Sequence, residues 1–223
     1  MSTVLMARQG RHRQLYEDNF RLVSGCIPYR VKKGYEEYND CIEDCLEVLM
    51  ISSPSRNDLV FPKGGWENDE SVHEAACREA LEEAGVRGIL NNKQLGVWEF
   101  RSKSRQAKCS LDGGCRGYMF ALEVTEELDS WPEQENHGRK WLDVREAFTL
   151  CRYEWMKDAL RAFLEQMESD KTMKVNTEMA KEPSAMALAI IPNRQVSKPT
   201  SRSNFARSKA ILAIVAPRLC FYN

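Results

Sequence analysis

The sequence predicts an α/β protein in which a mixed β-sheet is flanked by helices, an α/β/α sandwich. Three observations predict it. Apolar runs of strand length recur at Phe20–Tyr29, Leu46–Ile51, Leu95–Arg101 and Arg116–Val124, the last alternating Tyr118, Phe120 and Leu122. Helical patterns occupy Val72–Ala84 and Tyr153–Met167. Strands and helices interleave along the chain, the order expected of a sheet covered by helices.

Taken in order, Phe20–Tyr29 is the first extended segment, and the polar, acidic stretch Lys32–Asp44 suits a hairpin loop leading into Leu46–Ile51. Ser52–Asp58 reads as a turn. Leu59–Phe61 reads as a short third strand ending in a tight Pro62-Lys63-Gly64-Gly65 loop. Ser71 followed by Glu74 is a capping box, and Gly85 is a left-handed stop, so the helix between them is bounded at both ends. After Leu95–Arg101 comes a polar loop closing on Asp112-Gly113-Gly114, then Arg116–Val124, a short strand Lys140–Leu142, a helix Val144–Cys151 and the amphipathic helix Tyr153–Met167. Beyond Ser169 the composition turns to Ser, Lys, Pro and Asn without periodicity, which predicts a disordered tail. In that tail, Ile211–Ala216 is a small apolar island suited to a weak local contact. The expected organisation is a flexible N-terminus over residues 1–15, one domain over 16–168 and a basic tail over 169–223.

Length and charge agree with this division. A chain of 223 residues suffices for one sizeable domain with appendages. Its formal net charge of −1 gives no overall bias toward nucleic acid or membrane. From Pro183 to Asn223 there is no Asp or Glu, while Arg194, Lys198, Arg202, Arg207, Lys209 and Arg218 contribute +6; since the whole carries −1, the remainder carries −7. Eight cysteines stand at 26, 41, 45, 77, 109, 115, 151 and 220, without the paired spacing or nearby histidine of a zinc site. Reduced thiols, no evident secretory signal and no apolar run near the ~18–20 residues of a membrane span favour an intracellular, cytoplasmic protein. The first sixteen residues hold Arg8, Arg11 and Arg13 and no acid, a weak similarity to a mitochondrial presequence; a flexible basic N-terminus is the preferred reading.

The chemistry concentrates in Val72–Ala84. At about 100° per residue, Glu79, Glu82 and Glu83 fall within one narrow arc, where three carboxylates repel one another unless a cation sits among them. A hard cation such as Mg²⁺ suits carboxylates and phosphate oxygens. Arg78 can reach Glu82 at i+4, and an apolar stripe of Ala76, Cys77, Ala80, Leu81 and Ala84 would lay the helix on a sheet. The ordinary reading of such a charge run is a solvated acidic helix. The preceding Phe61-Pro62-Lys63-Gly64-Gly65 reverses that preference. Its glycines let backbone approach a ligand closely, the carbonyl of Lys63 or Gly64 could add a metal ligand, and the Lys63 ammonium is a point charge for phosphate.

Gly64, Glu70 and the run Arg78-Glu79-Ala80-Leu81-Glu82-Glu83-Ala84-Gly85-Val86 fit the pattern G-x5-E-x7-R-E-U-x-E-E-x-G-U, where U is apolar. Nine restricted positions agree within 23 residues, and the chain so resembles the Nudix hydrolases. Similarity to the plant subgroup close to diphosphoinositol and diadenosine polyphosphate phosphohydrolases continues at Asn19–Arg30, Val97–Phe100, Trp131, Gly138–Trp141 and Cys151–Tyr153. The resemblance implies the Nudix sandwich fold and hydrolysis of phosphoanhydride bonds with Mg²⁺ or Mn²⁺. It implies Glu79, Glu83 and the Lys63 carbonyl as metal ligands, Glu82 as the group that orients or deprotonates water, and Gly64, Glu70, Arg78 and Gly85 as supporting motif positions.

Arg21, Arg56, Lys63 and Arg139 are the candidate phosphate-binding residues, each weighed against a solvated surface charge. Trp98, Phe100 and Tyr118 read as core. His12, His73 and His137 show no clustered partners in sequence, so none is expected to act as ligand or base. The expected partner is a small-molecule polyphosphate, with neither membrane nor nucleic acid. A ligand-sensing module without turnover and an RNA-cap hydrolase using the basic tail are the competing readings.

Overall fold

A computed structural model describes residues 6–32, 41–54, 56–101 and 114–179. The elements in chain order are β1 (Tyr16–Glu17), β2 (Phe20–Val31), α1 (Ile42–Cys45), β3 (Leu46–Ile51), β4 (Lys63–Gly65), α2 (Val72–Ala84), β5 (Val86–Leu90), β6 (Gly96–Arg101), β7 (Gly114–Glu127), β8 (Arg139–Asp143), α3 (Val144–Leu150) and α4 (Glu154–Met179).

β2 organises the sheet. It pairs in parallel with β7, from Arg21 opposite Cys115 to Tyr29 opposite Glu123, and antiparallel with β3, with Tyr29 opposite Val48. β8 lies outside β3, and β5 and β6 both add antiparallel to β7. One parallel pair among antiparallel neighbours makes the sheet mixed, as expected. β1 turns into β2 through Asp18 and Asn19, both at positive φ, the backbone a tight two-residue hairpin requires.

The pleat of β2 divides the two layers. Ser24 and Cys26 face α2: the Ser24 hydroxyl donates to the Val72 carbonyl at 2.6 Å. Tyr29, of opposite parity, meets Phe163 of α4 with ring centroids 5.1 Å apart. The core between the layers includes Ile27, Leu49, Phe61, Phe120, Leu142, Met156 and Phe163, all essentially inaccessible. Trp98 and Tyr118 pack against that core, and Phe100 stacks on Trp155 at 4.4 Å, so these three aromatics are structural, as read.

Several boundaries differ from expectation. Leu59–Phe61 is not a strand; Leu59 and Val60 make only isolated bridges, to Cys151 and Ile51. The strand falls four residues later, on the Lys63–Gly65 segment read as loop, because Gly25 leaves room for Lys63 to pair against β2. β5 went unpredicted; its five residues include Gly88, where a Cβ would strike the Glu123 backbone. The last helix continues to Met179, past the point where side-chain periodicity fades. At the other end, residue 15 is not a boundary: Gln14 donates to the carbonyls of Leu15, Leu22 and Trp66, and Arg8 and Arg13 pair with Asp69. The 102–113 loop, most of the Lys32–Asp44 linker and residues 180–223, with the apolar island, lie outside the described residues. Among those described, no helix is long and apolar enough to cross a membrane.

Candidate active site

The site is built on α2, and both its ends are fastened. At the N-terminus the Ser71 hydroxyl accepts from the Glu74 amide at 3.2 Å, while the Glu74 carboxylate accepts from the Ser71 amide at 2.7 Å. This is the capping box read from sequence. At the C-terminus Gly85 takes the left-handed conformation at φ 64°. Its neighbourhood is crowded, since a Cβ there would press on the Trp131 ring. The apolar face consists of Ala75, Ala76, Ala80 and Ala84, all inaccessible; Cys77, expected in the stripe, is exposed, and Leu81 is half-buried. Four small side chains let the helix approach β2 and β4 closely.

The last carbonyls of α2 would be orphaned by helix geometry, and the segment from Leu128 to Arg139 satisfies them. The Glu133 amide donates to the Glu82 carbonyl at 3.0 Å, Trp131 Nε1 to Glu83 at 3.1 Å, and the Leu128 amide to Gly85 at 2.8 Å. Arg139 donates to the carbonyls of Ala84 and Gly85 at 3.2 and 3.1 Å, with its guanidinium 4.4 Å over the Trp131 ring. The acidic arc therefore sits on a helix whose position is set from both ends.

Within the arc, Arg78 is the hub. Its guanidinium donates to both oxygens of Glu70, at 2.9 and 2.7 Å, to the Gly65 carbonyl at 2.8 Å, to Glu79 at 2.6 Å and to Glu82 at 3.2 Å. The predicted i+4 contact is present, but the strongest partners are Glu70 and Glu79. Glu70 also accepts from the Glu67 amide at 3.2 Å, so it bridges the loop before α2 to the arginine. Glu83 accepts from the Lys63 amide at 2.8 Å, which ties the far side of the arc to β4. Glu82 accepts from the Arg8 amide at 3.2 Å.

The electrostatics of the arc favour a cation. Burial, then Glu83, push Glu79 up to about 8, against the opposing pull of Arg78. Burial likewise raises Glu83, countered by the Lys63 charge and amide, and raises Glu82, countered by Arg78. Three crowded carboxylates raised above their ordinary range are stabilised in ionised form by a nearby cation. Gly64 lies directly against the Glu79 carboxylate, where any Cβ would overlap it. A glycine cradle and an oxygen-rich, partly desolvated arc fit a hard divalent cation.

Gly64, Glu70, Arg78, Glu79, Glu82, Glu83 and Lys63 converge on this one place. Arg21 is close by, its Nε donating to Gln14 at 2.7 Å beside Gly65. Arg56 is engaged by Asp58 through two bonds of 2.8 and 2.6 Å, and Arg152 shares the same carboxylate. Arg139, also a phosphate candidate in sequence, has its guanidinium taken up by the helix carbonyls of Ala84 and Gly85 and by the Trp131 ring. Sequence reading also missed His137. It lies with Glu133 and Glu83 in a group whose ligand atoms are all within 4.8 Å of one another. The Glu133–His137 spacing of i, i+4 was the available signal.

Comparison with known proteins agrees with this geometry. Residues 41–165 match the NUDIX domain. Nudix hydrolase 12, mitochondrial, of Arabidopsis thaliana is 58% identical over 187 residues, covering 82% of this chain and 92% of the relative. Nudix hydrolase 13, mitochondrial, of the same organism is 58% identical over 194 residues, covering 85% and 92%. Mouse diphosphoinositol polyphosphate phosphohydrolase 2 is 35% identical over 128 residues, 54% of this chain and 65% of that protein. Among solved structures, a C. elegans Ap4A hydrolase binary complex shares the fold, with a TM-score of 0.51 at 18% identity, covering 66% of this chain and 98% of that one. The chain belongs to the Nudix family. It is a Nudix pyrophosphohydrolase, a hydrolase acting on acid anhydrides.

Proposed function

We propose that this enzyme hydrolyses phosphoanhydride bonds in small molecules carrying several adjacent phosphates, diphosphoinositol polyphosphates and diadenosine polyphosphates foremost, with other nucleoside diphosphates linked to a second group as further substrates. The observation that carries this reading is the convergence of Glu79 and Glu82 on Arg78 and of Glu83 on the Lys63 amide, beside Gly64. The mouse relative's name supports the inositol class.

In this reading Glu79 and Glu83, with the Lys63 carbonyl, hold Mg²⁺ or Mn²⁺. The bound ion supplies neutralisation of nonbridging phosphate oxygens and a lowered pKa for water. Glu82 is the proposed base: both of its bonds are long, 3.2 Å each, so of the three carboxylates it is the least firmly held. Burial raises its pKa above the ordinary carboxylate value, against the opposing pull of Arg78, which makes it a stronger proton acceptor than a free carboxylate. Arg78 fixes Glu79 and Glu70 and so keeps the arc in register. Lys63 and Arg21, at the two sides of Gly64-Gly65, attract the phosphate chain; Arg56 joins them only by releasing Asp58. The attacking group is water, and no cysteine or serine need form a covalent intermediate.

A panel of diphosphoinositol polyphosphate, diadenosine polyphosphates and a nucleotide sugar, each with Mg²⁺ or Mn²⁺ and scored by product identity, tests the proposal. Turnover is expected with the first two classes; turnover restricted to nucleotide sugars would overturn the substrate assignment. Deleting residues 183–223 is expected to leave turnover of small substrates intact, whereas an RNA-cap hydrolase working through its basic tail would lose activity. The names of the two Arabidopsis relatives support a mitochondrial location over a cytoplasmic one, testable by imaging a C-terminal fluorescent fusion.

A further inference from the structure

We propose that Glu83, Glu133 and His137 form a three-ligand site for a divalent ion of the Zn²⁺ class, beside the carboxylate arc and sharing Glu83 with it. The inference deepens the proposed function through that shared residue, but two of its three ligands, Glu133 and His137, lie outside the hydrolase motif.

The imidazole is presented as a ligand would be. Its Nδ1 lies 2.8 Å from the Ser52 carbonyl, which can only accept, so Nδ1 carries the proton. In the neutral ring the lone pair is then on Nε2, the atom that faces Glu133 Oε2 at 3.4 Å. Fixing the tautomer through a backbone carbonyl is the usual outer support of a metal-bound histidine. The support is itself rigid: Ser52 and Gly138 exchange backbone and side-chain bonds, the Ser52 amide donating to the Gly138 carbonyl at 2.8 Å and the Gly138 amide to Ser52 Oγ at 3.1 Å. Glu133 is held separately, its amide on the Glu82 carbonyl at 3.0 Å and its carbonyl accepting from the His137 amide at 2.9 Å.

The Glu133–His137 distance and the donor chemistry agree with this. Ligands at about 2.1 Å around a tetrahedral ion are about 3.4 Å apart; the Glu133–His137 separation is 3.4 Å, and all three ligand atoms lie within 4.8 Å of one another. The Lys63 amide occupies one acceptor position of Glu83 Oε2, and the carboxylate keeps further lone pairs for an ion. The His137 and Glu133 side chains are 18% and 29% exposed, enough for an ion to enter. One nitrogen and two carboxylate oxygens, with a fourth position open, suit Zn²⁺ or Co²⁺; Mg²⁺ prefers an all-oxygen, octahedral set. The competing account is a protonated His137 paired with Glu133.

The test is titration of the full chain with Zn²⁺ and with Mg²⁺ by calorimetry, together with visible absorption on adding Co²⁺ and NMR of the His137 ring nitrogens. Wild type is expected to bind Zn²⁺, to give the absorption of four-coordinate Co²⁺, and to show a Zn²⁺-dependent shift at Nε2 with Nδ1 still protonated. His137→Gln and Glu133→Gln are each expected to weaken Zn²⁺ binding on the order of tenfold or more, with little change for Mg²⁺. Unchanged Zn²⁺ affinity in both variants would overturn the proposal, as would an Nε2 that stays protonated under saturating Zn²⁺. Those readouts are independent of turnover. Failure of the hydrolase reading would remove Mg²⁺-dependent product release and leave the His137-dependent Zn²⁺ signal; failure of this inference would do the reverse.

Discussion

Arg78 and Gly64 show how single residues make the arc workable. Burying Glu70, Glu79 and Glu82 together would be prohibitive without a partner, and one planar guanidinium reaches all three. Gly64 does the opposite, leaving empty the volume that the Glu79 carboxylate occupies. Gly64→Ala should therefore displace that carboxylate. A displacement of about 1 Å is expected to cost on the order of 100-fold in kcat, with the Tm little altered because the β4 pairing survives. Steady-state kinetics beside a thermal melt measures both. These two roles were open to sequence reading in different degrees. Glycine at 64 and arginine at 78 stand in a recognisable spacing, so their importance was legible. That Arg78 serves Glu70 and Glu79 ahead of Glu82 was not, because Glu70 comes from the loop before the helix and its approach depends on the tertiary path.

At the scale of elements, the decisive interaction is the one between α2 and the segment Leu128–Arg139. The limits of α2 were readable because Ser71, Glu74 and Gly85 act locally, through hydrogen bonds within a few residues. β5 and the docking of Leu128–Arg139 were not, since both depend on partners far along the chain. Arg139 is the clearest case: a basic residue in a matched motif reads as a phosphate ligand, but three-dimensional contacts make it the cap of a helix. Arg139→Ala is accordingly expected to destabilise the fold by about 1–2 kcal/mol through lost carbonyl bonds and the lost charge at a helix C-terminus. Denaturant unfolding measures this, and KM for a polyphosphate substrate should stay near the wild-type value. A large rise in KM without loss of stability would restore the phosphate-binding role.

For the whole molecule, the acidic arc links stability to pH and to divalent ions. Glu79 is raised from 4.5 to about 8, so between these values the folded protein holds a proton that the unfolded chain has released. Stability contributed in this way is present at the acidic end of the window and is lost as pH rises through it. Melting curves in chelator should thus show Tm falling from about pH 5 toward pH 8. Because an ion must displace the proton, adding Mg²⁺ should raise Tm most at the upper end. A Tm independent of both pH and Mg²⁺ would mean that the carboxylates are already neutralised by Arg78 and Lys63. The sheet that carries the arc was foreseen in outline, since alternating strands declare themselves. Its parallel β2–β7 pair was not, because residues so distant in sequence leave no local trace of their register.

Replacing Glu83 by Gln removes one negative charge from the arc and leaves the side chain's shape and its bond from the Lys63 amide. Product release from a diphosphoinositol or diadenosine polyphosphate, followed in Mg²⁺ for wild type and Glu83→Gln at matched folding, is the most direct measurement. Wild-type turnover and its near-complete loss in the variant are predicted; a variant that turns over at the wild-type rate would contradict the placement of the ion and of the chemistry on this helix.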